Sequence, residues 1–90
     1  MKPVQTNEVQ ELIYQLVQET PVHRLDLLLA TNEMIGRLEE EKQQKEQAIY
    51  YGVLDQLAQA NIKPLDSEKE SLKETNEQLK DLVKGMAQLL

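Results

Sequence analysis

Apolar positions recur at a period of about 3.6 residues along most of the chain, so the sequence predicts helices and no strand. In the first segment Val9, Leu12, Ile13, Leu16 and Val17 lie on one face of a helix expected over about residues 7–19. Thr20 followed by Pro21 has the form of an N-cap with proline at the next helix's first position. A break is therefore expected near residue 20, and the first helix can fold back along the second as a hairpin.

No proline interrupts the chain between Pro21 and Pro64, and one long helix is predicted over about residues 21–61. At ~1.5 Å per residue it would be about 60 Å long, twice the ~30 Å diameter of a small domain. Its parts are unequal. Leu25, Leu28, Ile35 and Leu38 form one stripe, and Leu27, Leu29, Ala30 and Met34 widen it beyond what the first helix covers. From Glu39 to Gln47 every residue is polar, yet each is a good helix former and Glu41 with Lys45 supports the turn, so this waist is expected as solvated helix. Apolar residues return as Ile49, Tyr50, Val53, Leu54, Leu57 and Ala58. Gly36 and Gly52 mark either bends or close helix contacts, and a break at one of them would instead give four helices within one chain.

The last helix is expected over about residues 66–90, opened by Ser67 with Glu70 three residues on. Leu72, Leu79 and Met86 repeat every seven residues, with Leu82 and Leu89 three after the last two, a short heptad seam diluted by Thr75 and Asn76. Folded back antiparallel, this helix sets Leu82, Val83 and Met86 beside the polar waist. Each fully buried Leu or Met contributes about 1.5–3 kcal/mol, so Leu82, Val83, Met86, Leu89 and Leu90 are expected to meet another surface. Leu27 and Met34 offer one on a second copy. The fold class that follows is all-α: one domain over residues 1–90, three helices with a long central one, in helical hairpins or coiled-coil-like packing, completed as an oligomeric bundle. A homodimer is the favoured oligomer.

Composition narrows the chemistry. Three tyrosines are the only aromatic residues, which leaves the core to Leu, Ile, Val, Met and Ala. Cysteine is absent, so disulfides and thiolate chemistry are excluded. The N-terminal stretch has no apolar signal core, and no apolar run approaches the ~18 residues that a membrane span needs, so a cytoplasmic chain with no membrane partner is expected. The net charge of −6 is spread along the chain with no basic segment, so no nucleic-acid partner is expected.

Catalytic chemistry finds little support. His23 is the one histidine, and no serine, cysteine or second histidine is placed by sequence to complete a site with it. Glu40 and Glu41 lack a Glu-x-x-His partner, no EF-hand pattern is present, and the glycines at 36, 52 and 85 are isolated. No catalytic, metal or cofactor residue is therefore expected. Tyr50 and Tyr51 are the unusual local feature. Adjacent helix residues point about 100° apart, so one ring packs while the other lies at a rim, an interface or a ligand. In general style the Leu- and Glu-rich helices are similar to small helical export chaperones and to small phage-encoded inhibitor proteins, and no motif carries residues across.

The function expected is a non-enzymatic interaction module that self-associates and binds, inhibits or chaperones another protein. The alternatives are a self-assembling scaffold and a binder of a nucleotide-like ligand at an inter-subunit crevice lined by Tyr50 or Tyr51.

Overall fold

The computed structural model describes residues 6–20, 22–62 and 69–89, and every regular element among them is a helix. These are α1 (Thr6–Glu19), α2 (Arg24–Glu41), α3 (Gln44–Gln59) and α4 (Lys69–Leu89). The all-α class expected from the periodicity is the class observed. The expected cap at Ser67 lies outside the described residues, as do Pro21, Pro64 and Leu90.

The central segment is two helices rather than one rod, and the molecule measures 43 × 28 × 18 Å. Lys42 closes α2 in the left-handed conformation, with φ 58° and ψ 35°. Its backbone N–H donates to the Leu38 carbonyl, as does that of Gln43 at 3.3 Å. α3 starts one residue later. Neither Gly36 nor Gly52 makes the break; both lie inside helices.

Burial explains the position of the reversal. Every side chain from Glu39 to Lys45 is exposed, so interrupting the helix there removes no buried contact. The reversal instead lays Leu27, Leu28 and Leu38 of α2 into one core with Ile49, Val53 and Leu57 of α3. Helix propensities differ by only tenths of a kcal/mol per residue among good formers, whereas each buried aliphatic side chain contributes about 1.5–3 kcal/mol. Packing wins over propensity. The polar waist takes the turn, at Lys42 and Gln43, because no buried contact is lost there.

Thr20 also differs from its expected role. Its hydroxyl donates back to the Leu16 carbonyl, and its N–H does so at 3.1 Å, so it closes α1 instead of opening α2. α2 begins after His23, whose side chain makes no capping bond.

α2 packs on both α3 and α4, and α3 also touches α4 and α1. The hairpin expected between helix 1 and the start of the rod is replaced by contact of α1 with α3. Gly52 permits it: a Cβ built there would overlap Cδ1 of Ile13 and lie 3.2 Å from its Cγ1. The α4 seam is Leu72, Asn76, Leu79, Val83 and Met86, all buried, with steps alternating between four and three residues. Leu82 and Leu89 fall off this seam.

Candidate interaction surface

Two expected interface residues of α2 are in the chain's own core. Leu27 and Met34 are buried, because the reversal at Lys42 and the docking of α4 cover the surface that a continuous rod would have left open. Val83 and Met86 of α4 are buried in the same core. This corrects the expectation that these four side chains wait for a second copy.

Leu82 and Leu89 do face outward. Leu82 is 41% exposed and Leu89 75% exposed. Leu82 borders an open groove of about 290 Å³ between the end of α1 and the end of α4, walled by Leu12 and Leu16 on one side and by Leu82 and Met86 on the other. Gln15, Glu19 and Thr20 complete the lining, so Glu19 supplies its one charged group. The groove exists because α1 is held mainly by α3 and α4 mainly by α2, leaving the two outer helices side by side with little direct packing.

Leu12 and Leu16 are the wall residues that sequence reasoning did not single out. The signal was the width of the α1 apolar face: five residues from Val9 to Val17 spread over more surface than a single neighbouring helix covers.

Another cleft among the described residues is polar. Between α2 and α4, a cleft of about 370 Å³ is lined by Glu33, Arg37, Lys73, Asn76, Glu77 and Lys80, with Met34 as its apolar member. Arg37 is paired with Glu33 at 3.0 Å. Asn76, 7% exposed, donates from Nδ2 to Oε2 of Glu33 at 3.0 Å, while its Oδ1 has no hydrogen-bond partner. The cations and carboxylates of this cleft largely cancel.

The two tyrosines separate as adjacent helix residues must. Tyr50 is buried in the core, where burial chiefly, and then the carboxylates of Glu46 and Asp81, push its phenol well above the usual range. A ring so enclosed has no face left for a ligand, which corrects its place as a candidate stacking group. Tyr51 is exposed and donates to the Glu39 carboxylate, the main cause of its raised pKa. That bond ties α3 to α2 across the turn.

Among the described residues, no group of three or more His, Asp or Glu side chains is arranged to hold a metal ion, and no helix is long and apolar enough to cross a membrane. Comparison with protein-family models, with curated proteins and with solved structures gives no match. The surface chemistry therefore carries the functional reading.

Proposed function

We propose that this chain is a non-enzymatic protein-interaction module whose working surface is the groove between α1 and α4 with the adjoining edge of α4. One observation supports this above all: in a chain where 29% of residues are charged, an almost uncharged apolar groove adjoins two exposed leucines. Apolar surface gathered in one place marks an interaction site, whereas scattered exposed leucines do not. A groove between two helices accepts an apolar helix side-on, with anchors at helical spacing. Self-association and the binding, inhibition or chaperoning of another protein use such a surface in the same way. The setting proposed with it is the cytoplasm.

The test is the double variant Leu82→Glu with Leu89→Glu. Both positions are exposed, so helical content by circular dichroism should be preserved. Light scattering and binding assays should show loss of association. Association retained at wild-type strength by the folded variant would refute this surface.

A further inference from the structure

The charge lining the α1/α4 groove has one sign. α1, Thr6–Glu19, carries the carboxylates Glu8, Glu11 and Glu19 and no lysine or arginine. Lys73, Lys80 and Lys84 of α4 are turned away from the groove: the first two line the cleft against α2, and Lys84 lines one against the start of α3. Arg24 reaches α1 at Gln18, 3.5 Å away and outside the groove lining. Neither α1 nor α4 has a basic residue in its last turn, so the negative ends of both helix dipoles stand uncompensated beside walls built from C-terminal turns. Leu12, Leu16, Leu82 and Met86 thus form an apolar trough whose one lining charge is the Glu19 carboxylate.

The polar atoms of the lining decide what form the occupant takes. An extended segment brings backbone N–H and C=O groups that must find partners. The groove offers Gln15, Glu19 and Thr20, and the Thr20 hydroxyl is already given to the Leu16 carbonyl. A helix satisfies its own backbone and needs only an apolar row at helical spacing to fill the trough. We infer that the α1/α4 groove binds a cationic amphipathic helix of another protein, with aliphatic side chains between Leu12 and Leu82 and a lysine or arginine on its flank against Glu19. This rests on the reading of that groove as the working surface and names the chemistry of what fills it.

The charge match gives selectivity more than strength. A neutral helix of the same shape fills the trough but brings nothing to Glu19. An acidic helix, or an anionic lipid surface, meets a like charge there and two negative dipole ends. Glu19 is exposed, so its pairing with a cation faces solvent, changes affinity only a few-fold and is screened by salt. The net charge of −6 adds long-range attraction for a cation wherever it lands. A change at Glu19 separates the two contributions.

The probes are three labelled helical peptides of about 18 residues, sharing one leucine row and carrying lysine, glutamine or glutamate on the flanks. By fluorescence anisotropy at low salt, the lysine peptide should bind the wild-type chain about threefold or more tighter than the glutamine peptide, with the glutamate peptide weakest. The lysine-to-glutamine ratio should fall toward one at about 0.5 M salt. Glu19→Lys should abolish or invert the lysine preference, whereas Glu40→Lys, the same change of net charge outside the groove, should retain most of it. Both positions are exposed, so circular dichroism should show each variant folded. Equal losses of preference in the two variants, no preference among the peptides, or no binding by any of them up to millimolar concentration would overturn the inference. Were all three peptides to bind alike and to lose binding in Leu82→Glu with Leu89→Glu, the groove would stand as an interaction surface and only the cationic partner would be refuted.

Discussion

The Cδ1 atom of Ile13 in α1 occupies the space that a β-carbon at position 52 of α3 would need. The contact between these helices thus depends on a missing side chain. Gly52→Ala should gain about 1 kcal/mol of helix propensity and lose about 1–3 kcal/mol to overpacking, a net loss in chemical denaturation. Ile13→Val removes the overlapping atom. Alone it should cost about 0.5–1.5 kcal/mol, but in the Gly52→Ala background it should cost less or even stabilise. Additive effects in this double-mutant cycle would show that the two positions do not touch.

The turn at Lys42 gives a second expectation. A non-glycine residue in the left-handed region carries a backbone cost of about 1–2 kcal/mol. Lys42→Gly should therefore raise stability by up to about 1 kcal/mol, even though glycine is the worse helix former, and Lys42→Val should lower it. Thermal unfolding of the two variants checks both signs. The opposite order would be the signature of a continuous helix through residue 42.

Asn76 sits at a buried position of the α4 seam with one polar atom satisfied and one not. An unmet buried acceptor costs about 1–3 kcal/mol, which offsets most of the ~1.5–3 kcal/mol of the bond to the Glu33 carboxylate, and a leucine adds apolar surface to the buried seam. Asn76→Leu should stabilise the fold by about 1 kcal/mol, a rise in Tm of about 4–8 °C for a domain of this size. A lowered Tm would mean that the Glu33 bond outweighs the orphaned oxygen.

Features set by local forces are readable in the sequence, and features set by docking are not. The α1 face of Ile13, Leu16 and Val17 is readable because helical period alone defines it, and the same period puts Leu72, Leu79 and Met86 on one buried side of α4. Which second row joins them was not readable: Leu82 and Leu89 at a step of three compete with Asn76 and Val83 at a step of four, and only docking on α2 decides. The break at Lys42 was hidden for the same reason. Each residue from Glu39 to Gln47 is locally a good helix former, and the gain from folding Leu38 back toward Ile49 appears only once both helices exist. The groove followed from that reversal, since α1 then lies on α3 and not on α2.

Tyr50 makes stability depend on alkaline pH with a definite sign. Its folded pKa is raised by burial, so above about pH 10 the unfolded chain loses the phenolic proton while the folded chain keeps it. This stabilising difference is fully present below pH 10 and is lost as pH rises toward the folded pKa. Stability should fall between pH 10 and 11 by about 1 kcal/mol more in the wild-type chain than in Tyr50→Phe, as measured by denaturant titration. Identical pH profiles would place the Tyr50 hydroxyl in water.

The proposed partner surface is the α1/α4 face and not the surface of the α2–α3 hairpin. Amide chemical shifts recorded as the protein concentration is raised test this most directly. The changes should concentrate at Leu12, Leu16, Leu82, Gly85 and Leu89, and the amides from Glu39 to Lys45 should stay still. Association that shifts the turn residues instead, and leaves the groove unchanged, would contradict it.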